Sequence, residues 1–162
     1  MPISLIFDMQ NANQFFQEKL IANINNGKGA LYPHVIEVFS GLKQAGHSIF
    51  IASNGEIEYL QAIVRYFRLD GWVVETFSIQ QIHSQNKADL VCHILQKYNI
   101  KNAAVIGDRL SDINAAKNNG LMAIGCRFNF AQENELMIRP SVNSQQLSDR
   151  SRRRDKRVLH FC

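Results

Sequence analysis

The chain has 162 residues, 46% hydrophobic and 20% charged, an ordinary balance for a globular protein and enough length for one sizeable core. No apolar run approaches the ~20 residues of a membrane-spanning helix, which excludes a helical membrane protein. Six of the 18 Lys and Arg lie between Arg150 and Arg157, and the other 12 balance 12 acidic residues in 1–148, so the formal charge of +4 belongs to the C-terminal segment. Such a segment supports only non-specific contacts with nucleic acid, and its simplest reading is a solvated, irregular end.

The opening residues, Met1 to Asp8, carry no basic leader and reach an acid at once, so the expected location is cytoplasmic. Cys92, Cys126 and Cys162 are odd in number and far apart; they form neither a disulfide framework nor a zinc spacing and read as idle thiols.

In chain order, Ile3 to Phe7 is a short apolar run with the length of a buried parallel strand, ending at Asp8. Residues 11–25 have helical periodicity, with Phe15, Phe16, Leu20, Ile21 and Ile24 on one stripe, and Asn25 to Gly29 breaks the pattern. Pro33 suits a first helical turn, and Val35, Ile36, Val38, Phe39, Leu42 and Ala45 follow at helical spacing up to Gly46. Ser48 to Ala52 is a second strand running into the turn Ser53-Asn54-Gly55, followed by a helix through Ile57, Leu60, Val64 and Phe67. Trp72 to Phe77 reads as a third strand, 87–98 as a helix, and Ala103 to Ile106 as a strand ending at Gly107-Asp108. Ser111-Asp112 is placed to cap a helix that stops at Gly120, and Leu121 to Ile124 is a last strand. Strands alternating with helices predict an α/β fold, a Rossmann-like three-layer sandwich around a mostly parallel sheet. The ordered core is expected over 1–130, with 131–162 as an irregular basic tail.

Open parallel sheets bind ligands beyond the carboxyl ends of their strands. Three polar groups follow such ends: Asp8, then Ser53 and Asn54, then Asp108 and Asp112. Clustered carboxylates suit a hard cation such as Mg²⁺, and a Ser-Asn turn offers a hydroxyl and backbone N–H groups to phosphate oxygens. Taken singly, each is as well explained as a turn residue, a helix cap or a solvated charge.

Their order carries more information. The stretches Leu5-Ile6-Phe7-Asp8-Met9-Gln10, Ile51-Ala52-Ser53-Asn54, Asn86-Lys87-Ala88-Asp89 and Val105-Ile106-Gly107-Asp108-Arg109-Leu110-Ser111-Asp112 resemble the successive motifs of the haloacid dehalogenase-like hydrolases. The resemblance spans roughly residues 3–128, and its phosphoglycolate phosphatase-like branch looks most similar. It implies a Mg²⁺-dependent hydrolysis of a small phosphorylated metabolite through an aspartyl-phosphate. Asp8 would be the nucleophile and Lys87 the cation balancing charge on Asp8 and the phosphate. Ser53, Asn54 and Lys87 would bind the phosphate, and Asp8, the backbone carbonyl of Gln10, Asp108 and Asp112 would hold the metal.

The chain departs from that pattern in three places, one of them the end, where Ser141 to Arg157 shows no sign of the helix and apolar strand with which the family continues past Gly125. Gln10 stands where the family usually has a second Asp, acting as general acid and base; an amide has no proton to exchange. The segment 9–32 is too short for a full helical cap, so the cap is expected to be reduced. A second reading follows from Gln10: a scaffold that binds metal or phosphate and turns over little. A phosphorylated receiver domain also uses Asp, Ser or Thr, and Lys around Mg²⁺, but there the acidic pair comes early in the chain. Nucleic-acid binding through the tail is the remaining alternative.

Overall fold

The computed structural model describes residues 9–126 and 157–160, with side chains over 13–126. The expected strand at Ile3 to Phe7, and Asp8 itself, lie outside the described residues. Five helices, α1 (Met9–Asn25), α2 (Val35–Gln44), α3 (Ile57–Tyr66), α4 (Lys87–Lys97) and α5 (Leu110–Asn118), alternate with strands β1 (Ile49–Ser53), β2 (Val73–Ser78), β3 (Ala103–Gly107) and β4 (Met122–Gly125). A fifth described strand, β5 (Arg157–His160), joins the same sheet. The order is β2-β1-β5-β3-β4, and every described pairing is parallel.

Each face of the sheet carries its own core. On one, Phe50, Ala52, Phe77 and Val105 pack with Leu90, Val91 and Ile94 of α4 and Ala115 and Ala116 of α5. On the other, Ile49, Ile51 and Val73 pack with Phe39 of α2 and with Ile63 and Val64 of α3. The two sets alternate along β1, as the two-residue period of a strand requires, and all five β1 residues are buried. This is the expected three-layer α/β sandwich.

Helix α1 differs from its expected packing. Ile24 is buried and Leu20 and Ile21 are half-buried, but Phe15 and Phe16 are 61% and 62% exposed. Its packing partner is α3, so only part of the stripe finds cover among the described residues. The chain then turns at Gly27, where φ is +72° and a Cβ would lie 2.8 Å from the Tyr66 hydroxyl. Helix α2 starts at Val35, so Pro33 precedes the helix and His34, at φ 67°, makes the entry.

The irregular end expected beyond residue 131 does not hold at Arg157–His160, which form a strand in the middle of the sheet. Its sequence signal is weak for a physical reason. Val158 and Leu159 are the only apolar residues of four, and six bases precede them, so charge masks the short apolar run.

A surface cluster ties β2 to α4. Glu75 accepts two hydrogen bonds from the Lys97 ammonium at 2.7 and 2.8 Å and one from the Tyr98 hydroxyl. Burial pushes the Glu75 carboxyl up. The hydrogen bonds from Lys97 and Tyr98 and the charges of Lys97 and His93 outweigh it, and the net position is below the ordinary 4.5. The Tyr98 hydroxyl is pushed up by its bond to Glu75 and by burial. A carboxyl depressed in the folded state binds fewer protons there than when unfolded. Its contribution is therefore complete above pH ~4.5 and is lost as pH falls through the lower folded value. Since the Glu75 side chain is 31% exposed, the effect should stay below about 1 kcal/mol. Urea midpoints of wild type and Glu75→Gln should differ at pH 7 and converge toward pH 3; a constant difference across that range would refute the linkage.

Candidate active site

The carboxyl ends of β1 and β3 form the polar edge of the sheet. Ser53 closes β1 and is buried; its hydroxyl accepts the Gly55 N–H at 3.1 Å, which folds Ser53-Asn54-Gly55 into a tight turn with Asn54 exposed. The turn is pinned from β2. The Ser78 hydroxyl, fully buried and level with Ser53 in the parallel register, donates to the Gly55 carbonyl at 2.6 Å and accepts the Gln80 N–H at 3.2 Å. The Ser78 N–H donates to the Gln81 side chain at 2.7 Å. Ser78 was not distinguishable in the sequence, because a serine ending a strand before a turn is common and its partner lies 23 residues away.

Lys87 opens α4. Asn86 caps that helix, its side-chain oxygen accepting the Ala88 N–H at 2.9 Å. The first turn therefore holds Lys87 at the polar edge, and its ammonium makes an ion pair with Asp112. Both side chains are buried, Lys87 at 5% and Asp112 at 1% exposure. Asp112 is three residues into the α5 cap, and its other oxygen accepts the Arg109 N–H at 3.1 Å. Helix α5 begins at Leu110, so Asp112 caps from within the first turn and Ser111 lies inside the helix, one turn position away from the expected start.

Asp108 follows β3 and is half-buried. Cys126 joins it from the end of β4: its N–H donates to the Gly107 carbonyl at 2.8 Å. Burial pushes the Cys126 thiol up, and the negative charges of Asp108 and Asp112 push it further. Cys126 thus shares the electrostatic neighbourhood of both carboxylates. Read as one of three scattered thiols, it gave no sign of this; its place directly after Gly125, which closes β4, was the available signal.

The two halves of the edge are level with each other. Ile51 and Ile106 both pair with His160, and Ser53 and Asp108 each lie two residues further on. One strand stands between them, so β1 and β3 are separated by two strand spacings, about 10 Å. Of the expected site residues, Lys87 and Asp112 are in direct contact, Asp108 precedes Asp112 by four residues at the end of β3, and Ser53 and Asn54 lie at the same edge across β5. Gln10 is the second residue of α1, where only the backbone is described. A helical carbonyl there is engaged by the N–H four residues on, with one lone pair left over. Among the described residues no three His, Cys, Asp or Glu side chains converge tightly enough to hold a metal by themselves. The donors at this edge are oxygens, the type that hard cations prefer.

A family model for haloacid dehalogenase-like hydrolases matches residues 7–120, well over half of the chain. The chain belongs to the haloacid dehalogenase-like hydrolases. A curated relative, a 5′-nucleotidase from Pseudomonas aeruginosa, is 25% identical over 109 residues, covering 65% of this chain and 49% of the relative. Two solved structures share the fold. A predicted phosphatase from Clostridium acetobutylicum superposes with a TM-score of 0.59 at 22% identity, covering 80% of this chain and 55% of that one. A hydrolase from Streptococcus pneumoniae TIGR4 has a TM-score of 0.59 at 19% identity, covering 74% of this chain and 63% of that one. The chain thus spans about half the length of the curated relative and under two thirds of these structures. Among the described residues of this haloacid dehalogenase-like chain, no helix is long and apolar enough to cross a membrane.

Proposed function

We propose that this chain is a cytoplasmic phosphohydrolase acting on a small phosphate monoester. The observation that carries the reading is the buried Lys87–Asp112 pair, with the Ser53 turn level with Asp108 across the sheet. A cation and carboxylates fixed by helix caps and strand ends are preorganised, which is how electrostatic stabilisation of a transferring phosphoryl group is achieved. In the proposed reaction an oxygen of Asp8 attacks phosphorus while the bond to the leaving alkoxide breaks. Water then attacks the same phosphorus, releasing inorganic phosphate and restoring Asp8. Ser53 and the Asn54 backbone hold the non-bridging oxygens, and Lys87 balances their charge. Asp8, the Gln10 carbonyl, Asp108 and Asp112 are the groups that would hold Mg²⁺. When bound, the ion supplies charge neutralisation between an anionic nucleophile and an anionic substrate. Since a curated relative is named a 5′-nucleotidase, nucleoside 5′-monophosphates are the first substrates to try.

Gln10 specifically favours slow turnover. With an amide at the acid–base position, the leaving alkoxide receives no proton from that side chain, which costs roughly 10²–10⁴-fold in rate. Hydrolysis of p-nitrophenyl phosphate and of AMP with Mg²⁺ should be weak in wild type, absent in Asp8→Asn, and 10²–10⁴-fold faster than wild type in Gln10→Asp. Because p-nitrophenolate leaves without a proton, the gain should be larger on AMP. Equal rates for wild type and Asp8→Asn would remove Asp8 as nucleophile; no gain in Gln10→Asp alongside a loss in Asp8→Asn would leave the missing acid without a role.

A further inference from the structure

The direction of the Ser53 hydroxyl is set by its neighbours. Its oxygen accepts the Gly55 N–H at 3.1 Å, which turns one lone pair back into the turn and leaves the O–H to donate elsewhere. Gly55 is the weak point of that arrangement, because glycine has more backbone freedom than any other residue. The peptide groups on both sides of it must be held if the Ser53 hydroxyl is to keep its aim.

Residues at the end of β2 hold them. The Ser78 hydroxyl donates to the Gly55 carbonyl at 2.6 Å, so Gly55 is gripped at its N–H by Ser53 and at its carbonyl by Ser78. Two residues on, α3 begins at Ile57 behind Glu56, whose side chain makes no cap. The partner comes from across the turn: the Gln80 side-chain oxygen accepts the Ile57 N–H at 3.3 Å. Ser78 is itself fixed. Its oxygen accepts the Gln80 N–H, and its own N–H donates to the Gln81 side chain, within the short helical turn Ile79–Gln81. A fully buried hydroxyl thus donates to the Ser53 turn and accepts from the segment that supports it.

We propose that Ser78 and Gln80 are positioning residues for phosphate: they hold the Gly55 and Ile57 backbone so that the Ser53 hydroxyl points at the non-bridging oxygens. This rests on the proposed role of Ser53; Ser78 and Gln80 act only through the turn.

Binding of inorganic phosphate to the full chain with Mg²⁺, followed by titration calorimetry, tests this in a double-mutant cycle. Ser53→Ala and Ser78→Ala should each weaken phosphate about ten-fold, the size of one lost hydrogen bond to a charged group. In a Ser53→Ala background Ser78→Ala should weaken it no further. Gln80 is exposed, so Gln80→Met removes the acceptor for Ile57 with little risk to the fold. It should weaken phosphate roughly three-fold, the size of a neutral hydrogen bond, and by nothing in the Ser53→Ala background. On p-nitrophenyl phosphate both variants should raise KM by these factors and leave kcat within about two-fold, the pattern of lost uniform binding. Should Ser78→Ala lose cooperative unfolding, Gln80→Met decides the question alone. Unchanged phosphate affinity in either folded variant overturns the proposal even if the urea midpoint falls, since the bonds would then serve stability alone. Losses that add to that of Ser53→Ala overturn it too, as does a wild type that binds no phosphate. Hydrolysis separates the two readings. Phosphate binding that follows the cycle, with no hydrolysis in any variant, keeps the positioning role and removes the hydrolase. Hydrolysis that depends on Asp8, with phosphate affinity indifferent to Ser78 and Gln80, does the reverse.

Discussion

Lys87→Met should destabilise the protein by about 3–5 kcal/mol, because it leaves the Asp112 carboxylate buried with its ion-pair partner gone. Asp112 would retain one hydrogen bond, from the Arg109 N–H at 3.1 Å. That bond satisfies one oxygen and does not replace the cation. Domains of this kind are stable by only ~5–15 kcal/mol, so the loss should appear as a large drop in the urea midpoint. Removing both charges should cost far less. In Lys87→Met with Asp112→Leu the buried ions disappear together, and the remaining penalty is the lost cap on α5, about 1 kcal/mol. A double-mutant cycle on these two sites measures the coupling directly. A cost under ~1 kcal/mol for Lys87→Met would show that the pair is effectively solvated, since exposed pairs have that value. The pair would then be a poor anchor for phosphate chemistry.

Much of this frame was legible in the sequence, and the reason is visible in particular elements. The strands at 49–53, 73–78, 103–107 and 122–125 fall within a residue or so of their expected positions. The strands at 49–53, 103–107 and 122–125 are continuous apolar runs closed by Ser or Gly, and the strand at 73–78, though interrupted by Glu75 and Thr76, closes on Ser78, so pattern and turn chemistry agree. Helix α4 was equally clear, since Ala88, Val91 and Leu95 keep the helical period after Asn86. What escaped were features decided by distant partners. The exposure of Phe15 and Phe16 depends on which helix covers α1, and periodicity cannot report that. Ser78 acts through a carbonyl on another strand. Cys126 acquires meaning only when β4 delivers it beside Asp108 and Asp112. The strand at Arg157–His160 is the clearest case: four residues, half of them polar, become a strand because the gap between β1 and β3 supplies both ladders. For the site, the order Ser53, Lys87, Asp108, Asp112 was readable, while the direct Lys87–Asp112 contact was not.

Gly107→Ala should be disruptive out of proportion to a single methyl. A Cβ at Gly107 would lie 2.6 Å from the Cβ of Asp112 and closer still to its carboxyl atoms, separations that real side chains do not tolerate. The obstacle is not backbone conformation, because Gly107 has no positive φ; it is the carboxylate folded over the end of β3. Asp112 cannot swing away cheaply, since it caps α5 and pairs with Lys87 in a buried setting. Overpacking of this kind costs about 1–3 kcal/mol. Relief by moving Asp112 instead sacrifices the buried pair, so neither route is mild. Gly41→Ala provides the control. Gly41 is an exposed interior residue of α2 with nothing within 4 Å of a new Cβ, and alanine there should stabilise by about 0.5–1 kcal/mol. Opposite signs for the two substitutions in urea unfolding are the expected result. If Gly107→Ala were as benign as Gly41→Ala, Asp112 would not be packed against the end of β3. The geometry that sets Asp112 over the end of β3 and against Lys87 would then have to be redrawn.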